Sequence, residues 1–168
     1  MRSLTTGVLL LALTATSAFS QTDLKSLIVK HLKTSEEFTV KVAEAMPASD
    51  YDFKLTPPQM SFGQQMVHLS QGFDYILSPF SGEKPNPPKP KSMSKDAIVA
   101  FIKSSYERAI KRISNLTPEQ ISKTYTVEGI TGTGGDFLLG ALDHTTHHRA
   151  SAEMYLRAKG ITPPEYQF

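Results

Sequence analysis

The clearest chemical signal in this sequence is a run of histidines near its carboxyl end. Three of the five histidines in the 168-residue chain lie between Asp143 and Arg149, inside one long helical pattern. Each residue of an α-helix turns by about 100°, so His144 and His148 project from the same face, about 6 Å apart along the axis. Two imidazoles at this spacing could bind one divalent ion between them.

A metal site of this kind needs a third protein ligand, because zinc and related ions take three or four. The chain contains no cysteine, so its ligands must come from histidine, carboxylate and water. His68 is our candidate, since it lies in a separate helical pattern that a bundle could place opposite His144 and His148. The alternative is that some of these histidines are surface residues or hydrogen-bonded core residues.

Other polar residues could act beside the three ligand candidates. His147 could orient a ligand histidine, donate to a substrate or face solvent, and we favour solvent or a hydrogen bond behind the site. His31 shares the apolar face of the first helical pattern and is predicted to be a packed core histidine, although it could line the same cavity. Glu128, Asp143 and Tyr125 could act as acids or bases, but such residues more often lie on the surface.

The first 20 residues have the order of a secretory signal peptide. Arg2 is followed by an apolar run from Val8 to Leu13 and then by small residues that end at Ser20. The run is too short to span a bilayer comfortably, which disfavours the alternative of an uncleaved membrane anchor. We therefore expect an exported, periplasmic protein with no stable membrane insertion after cleavage.

Cleavage would leave residues 21–168 as a single domain with enough chain to bury a core. The 18 basic residues nearly balance the 16 acidic ones. A nucleic-acid-binding surface would need basic residues gathered on one face, so the expected partner is a small-molecule substrate and not a nucleic acid. An apolar face of the domain could also pair two copies as a homodimer.

Apolar residues recurring at steps of three and four predict an all-α protein, a four-helix bundle. Thr22 is the expected cap of the first helix, Ser61 with Gln64 forms a capping-box pattern before the second, and Asp136 could cap the fourth. Gly160 is a strong stop. The four predicted helices run from about Asp23 to Ala45, from Ser61 to about Leu77, from Ser94 to near Leu116 and from Asp136 to Gly160.

The connections between these helices also carry signals. Four closely spaced prolines in the segment 81–94 favour an extended crossover between helices 2 and 3. Its lysines could attract an anionic partner, although a solvated loop is favoured. The segment 117–120 combines a cap residue with proline and predicts a short helical turn. Residues 123–129 alternate weakly like a strand, and glycines between 132 and 135 predict a flexible turn.

Taken in order, these segments resemble the DinB-like superfamily, DinB/YfiT-like metal-binding four-helix bundles. The resemblance covers an early helix, the connection 46–53, a second helix with His68, and the closing run 144–149 followed by residues 155–164. It implies that one histidine of the second helix and two of the last bind a divalent ion, and by position these are His68, His144 and His148. Glycine and glutamine usually follow the histidine-histidine-arginine run, whereas here Ala150 and Ser151 do.

The resemblance implies thiol transfer with low-molecular-weight thiols, hydrolysis or isomerisation of small molecules. Three imidazole ligands would leave a coordination position open, as in a catalytic site. We expect zinc, nickel or another first-row divalent ion, which lowers the pKa of a bound water or thiol. One alternative is a non-enzymatic exported protein that binds a small ligand or a metal, and another is a bundle without chemistry. Export also disfavours thiol transfer, because low-molecular-weight thiols are chiefly cytosolic.

Overall fold

The fold is a bundle of four long helices with a small hairpin before the last one. The computed structural model describes residues 15–167, with side chains from residue 24 onward. Residues 1–14, and with them most of the predicted signal peptide, lie outside the described residues, so its cleavage stays a prediction. The helices are α1 (Ala15–Ala45), α2 (Phe62–Ile76), α3 (Lys95–Ser114), the short α4 (Pro118–Ser122) and α5 (Gly134–Ala158), and the strands are β1 (Thr124–Val127) and β2 (Ile130–Thr133).

The four long helices share one apolar core, as the predicted bundle requires. Helix α1 packs against α3 and α5, and α2 packs against the same two helices from the other side. Burial of these side chains, at roughly 25 cal/mol per Å² of apolar surface, is the main stabilising contribution. The largest side chains with almost no exposed surface are Ile28, Leu32, Met46, Phe62, Met66, Leu69, Leu77, Ile98, Ile102, Tyr106, Ile113 and Leu138.

Local hydrogen bonds explain where several helices begin. The Ser61 hydroxyl accepts from the Gln64 amide at 3.3 Å, and the Gln64 side chain accepts from the Ser61 amide at 2.8 Å, which confirms the predicted capping box. Thr117 and Gln120 form the same pair at the start of α4. The crossover 81–94 contains no helix or strand, as its prolines predict.

Two predicted helix caps are wrong. Helix α1 already includes Ala15, the first described residue, so Thr22 lies inside it; no proline or glycine interrupts residues 15–21. Helix α5 is capped by Thr133, and Asp136 instead supplies the reciprocal side chain, accepting from the Thr133 amide and hydroxyl at 2.7 Å each. Asp136 was predicted as the cap because aspartate is common at that position.

The predicted flexible turn is also misplaced. The chain reverses at Glu128 and Gly129, whose φ angles of 49° and 84° form a tight turn between β1 and β2. Gly132 lies in β2, and Gly134 begins α5 against α4, where a side chain would overlap the Gln120 carbonyl. Gly160, with a φ of 73°, follows the end of α5 as predicted.

No helix within residues 15–167 combines the length and apolar character needed to cross a bilayer.

A buried polar cluster fixes the register of α5 against α1 and α3. The Tyr106 hydroxyl lies 2.8 Å from the Ser35 hydroxyl and 2.9 Å from that of Thr39. Arg149 donates to the Ser35 hydroxyl at 2.7 Å, and its guanidinium lies 4.6 Å from the centre of the Phe38 ring. These groups are nearly inaccessible to solvent, so each depends on the others for hydrogen bonds.

Removing the Tyr106 hydroxyl should therefore destabilise the fold. Tyr106→Phe deprives two buried hydroxyls of a partner, and we expect the free energy of unfolding to fall by about 1–3 kcal/mol in urea denaturation. Tyr75→Phe is the matched control, because that ring is 48% exposed. Equal stabilities for the two variants would show that the cluster does not stabilise the bundle.

Candidate metal centre

Three histidines converge where α2 packs on α5. One ring nitrogen from each of His68, His144 and His148 lies within 4.8 Å of the other two. The His148 ring centre lies 4.5 Å from that of His68 and 4.5 Å from that of His144, and the His68 and His144 centres are 5.3 Å apart. The structure thus brings together the three residues selected from the sequence. That they hold a metal ion stays a prediction.

The helices place this cluster at the edge of the core. On α2, Leu69 is fully buried while the adjacent His68 is exposed. On α5, His144 and His148 are half-buried and lie one turn apart on the same face. Solvent can therefore reach the cluster from the His68 side, which would leave room for a further ligand.

The surroundings keep two of the rings neutral at pH 7. Burial, together with the nearby His68 and His147, lowers the pKa of His144 from 6.5 to about 4. Burial and the nearby His144, His68 and His147 together lower the pKa of His148 to about 4. A neutral imidazole has a lone pair available, so a metal ion would not need to displace a proton from either ring.

His144 has an unsatisfied polar atom. Its Nδ1 is buried and has no hydrogen-bond partner among the described residues. A buried polar group in this condition costs about 1–3 kcal/mol, which a bound ion or a hydrogen bond could recover.

Gly72 on α2 makes the space in which the His144 ring lies. A β-carbon at this position would overlap the ring and would lie 2.9 Å from its Nε2. The glycine is thus required by a close approach between side chain and backbone. Sequence reasoning missed it, although a glycine one turn after His68 inside a helix is a signal of close packing.

Gln65 holds the His148 ring from behind. It is only 6% exposed, and its Nε2 lies 2.7 Å from His148 Nδ1 and 3.5 Å from the His148 carbonyl oxygen. With Nδ1 engaged, Nε2 is the nitrogen left for an ion. Coordination through Nε2 places the proton on Nδ1, and a half-turn of the amide presents its oxygen to accept that proton. The sequence signal for Gln65 was its position one turn before His68.

Loss of this contact should weaken metal binding. In Gln65→Leu the His148 ring loses its orienting partner, and we expect the affinity for zinc to fall by about 10-fold to 100-fold in calorimetry. Gln71→Leu is the control on the same helix, because Gln71 donates to the Pro88 carbonyl at the surface. A Gln65→Leu protein that binds zinc as tightly as this control would show that the contact does not orient His148.

The donor set fits a first-row divalent ion. At a Zn–N distance of about 2.1 Å, two nitrogens on one ion are at most about 4.2 Å apart. Nitrogens within 4.8 Å of one another need only small ring rotations to reach that range. Imidazole suits zinc, nickel and their neighbours in the first row. Within residues 24–167, no carboxylate joins the three nitrogens.

The remaining two histidines do not belong to this group. His147 is exposed, as the solvent-facing interpretation predicts, and its ring centre lies 4.9 Å from that of His148. His31 lies half-buried on α1. It does not join the three converging nitrogens.

The other acid and base candidates are placed elsewhere. Glu128 lies in the hairpin turn, and Asp143 is exposed on α5. Tyr125 packs edge-on against Phe80 and Phe137, with ring centres 5.3 Å and 6.3 Å away, and its hydroxyl donates to a backbone carbonyl of α4. Neither carboxylate belongs to the histidine group, so the structure gives them no role there.

Comparison with known protein families agrees with this fold. The sequence profile of the DinB family matches residues 18–168, nearly the whole chain. This chain belongs to the DinB family. The match confirms the resemblance drawn from the order of the helices and from the histidines of α2 and α5.

Relatives of this DinB protein occur in Bacillus. It is 24% identical over 145 residues to the Bacillus subtilis protein YjoA, covering 83% of this chain and 94% of that protein. The crystal structure of YjoA, a DinB-like protein, superposes with a TM-score of 0.68 at 25% identity and covers 84% of this chain and 97% of that one. A DinB-like protein from Bacillus cereus superposes with a TM-score of 0.72 at 18% identity, covering 83% and 95%.

Proposed function

We propose that this DinB protein is a metal-dependent enzyme that holds one divalent ion, zinc or nickel, through His68, His144 and His148. The observation that carries the proposal is the convergence of three imidazoles from two helices at a solvent-accessible edge of the core. An ion with an open position lowers the pKa of a water or thiol that binds to it, which supplies a nucleophile near neutral pH. The chain's own contribution is to orient the three rings and, through burial, to keep His144 and His148 unprotonated.

The proposed reaction is hydrolysis or thiol transfer on a small molecule. His147 is the candidate proton acceptor, because it is exposed and its ring lies beside His148. Gln65 and Gly72 are positioning residues, since they act through the ligand rings. Of the two reactions, hydrolysis agrees better with export, because it requires no cytosolic thiol.

We propose export on the basis of residues 1–20, which would place the mature protein in the periplasm. The expected partner there is a small-molecule substrate, with no nucleic acid and no stable membrane insertion. The bundle could also form a homodimer.

A second candidate function is non-enzymatic binding of a metal or a small ligand. It is favoured by one observation, the lack of any carboxylate beside the three nitrogens in the described part of the chain. Without a carboxylate, catalysis depends on His147 or on the substrate itself for proton transfer.

One experiment tests these proposals together. The protein would be purified from the exported fraction, analysed for metal, loaded with zinc or nickel, and screened against small esters, amides and thiol acceptors. Turnover that disappears on chelation and returns with the ion is the expected result. A tightly bound ion without turnover would favour the binding function, and failure to bind either ion would overturn both.

A further inference from the structure

An open cleft lies beside the metal centre. It has a volume of about 470 Å³ and is bounded by the connection before α2 and by the second half of α5. This volume is within the range of small-molecule sites, about 300–1,000 Å³. His148 and Gln65 belong both to the cleft wall and to the metal centre. A molecule in the cleft would therefore contact His148, one of the three candidate ligands.

The cleft wall is uncharged in composition. None of its ten lining residues is aspartate, glutamate, lysine or arginine. A charged group in the cleft would lose part of its hydration and meet no opposite charge among them. Gln59 and Ser151 supply polar groups without charge. The apolar part of the wall is formed by Leu55, Pro58, Met60 and Met154.

Met154 is the most informative of these apolar residues. Its side chain is 55% exposed on α5, one and a half turns beyond His148, where it faces the cleft. Met is unbranched and adapts its shape to apolar groups, and is common in surfaces that bind varied ligands. Exposed at the cleft, it offers apolar surface that a ligand could cover.

A larger cavity elsewhere on the protein is less suited to this role. It lies between the crossover and the hairpin and has a volume of about 680 Å³. Its lining includes Glu83, Lys84 and Glu128 but none of the histidines. The smaller cleft, in contrast, joins apolar side chains to a potential metal ligand, His148.

We propose that this cleft binds the apolar part of an uncharged substrate, while a polar group of the same molecule reaches the ion held by the three histidines. This inference rests on the proposed function and deepens it by naming the substrate class. The substrate is a small neutral molecule with an alkyl or aryl group, such as an ester or amide. A substrate with a charged tail should bind less tightly, because the lining residues include no aspartate, glutamate, lysine or arginine to pair with that tail.

Hydroxamates test this proposal, because they share one metal-binding group and differ only in the tail. Zinc-loaded protein would be titrated with acetohydroxamate, benzohydroxamate and a succinic acid monohydroxamate with a free carboxylate. Benzohydroxamate should bind about 10-fold more tightly than acetohydroxamate, because its phenyl group is buried in the cleft. The carboxylate tail should bind no more tightly than acetohydroxamate.

Two methionine variants make the test specific to the cleft. Met154→Asp places a charge at the apolar wall and should reduce the preference for benzohydroxamate to less than about 3-fold, because the phenyl group then meets a solvated carboxylate. Affinities for zinc and acetohydroxamate should not change. Met93→Asp is the matched control, since Met93 is 45% exposed but lies in the crossover.

The outcomes separate the inference from the function on which it rests. If zinc and acetohydroxamate bind but the phenyl group adds nothing, the cleft assignment is overturned while the metal centre stands. If Met93→Asp and Met154→Asp have equal effects, the assignment is likewise overturned. If zinc itself does not bind, the proposed function fails and the inference fails with it.

Discussion

Replacing His144 with alanine will lower the affinity of the protein for zinc by at least about 100-fold, because two imidazoles cannot satisfy an ion that takes three or four protein ligands. His144 is the ligand candidate with a low pKa and a buried nitrogen that has no hydrogen-bond partner among the described residues. The measurement is calorimetric titration of metal-free protein with zinc, repeated with nickel.

His147→Ala is the matched control for that variant. His147 lies on the same helix and contacts His148, yet it is exposed and stands outside the three converging nitrogens. Its removal should change the zinc affinity by less than about 3-fold, since no ligand to the ion is lost. Equal losses in the two variants would mean that the ion binds to a surface run of histidines and not between α2 and α5.

The second large effect is expected at Gly72. In Gly72→Ala the new methyl group overlaps the His144 ring, so the ring must leave its position or α2 and α5 must separate. We expect the free energy of unfolding to fall by about 1–3 kcal/mol, which is typical of overpacking. The zinc affinity should fall by about 10-fold or more, because displaced ligands no longer match the ion's geometry.

Gly140→Ala separates this effect from a general response of helical glycines. Gly140 lies inside α5, and a β-carbon there would meet nothing within 4 Å. This variant should be stabilised by about 0.4–1 kcal/mol and should bind zinc normally. Stabilisation of Gly72→Ala by a similar amount would contradict the close approach between α2 and the His144 ring.

A double variant makes the same test within one site. When His144→Ala removes the ring, the methyl group of Gly72→Ala meets open space, so the two destabilisations should not add. The double variant should therefore be more stable than the sum of the single effects predicts. If the two losses in the free energy of unfolding simply add, the methyl group must clash with something other than the His144 ring.

Much of the histidine cluster was predictable because it depends on periodicity within single helices. The four-residue spacing of His144 and His148 fixes their common face whatever the rest of the chain does. Predicting the position of His68 required more than periodicity, because His68 faces His144 and His148 only if α2 and α5 are neighbours. The bundle pattern made that pairing an expectation, and the structure brings the three rings together.

Gln65 and Gly72 were not predictable in the same way. Their roles depend on how α2 and α5 are rotated about their own axes, which sets whether a side chain or bare backbone lies under each ring. Periodicity shows which residues share a face but not which atom of the facing helix they meet. Such contacts are decided by packing between helices.

The errors at the hairpin and at the start of α5 have a local cause. Several residues there suit a turn or a cap, and composition alone does not choose among them. Thr133 and Asp136 form one reciprocal pair, so selecting Asp136 as the cap identified one member of the pair but gave it the role of Thr133. The turn formed at Glu128 and Gly129 because two successive left-handed residues match the twist of a two-stranded hairpin.

X-ray absorption at the zinc edge of the zinc-loaded protein tests the central claim most directly. The account predicts one ion per chain with three imidazole nitrogens at about 2.0–2.1 Å and at least one further light ligand. The imidazole signal should decrease in His68→Ala, because that ring comes from a different helix and joins the other two only if the centre forms as described. A zinc ion bound mainly by carboxylates, or a spectrum that His68→Ala leaves unchanged, would contradict the account.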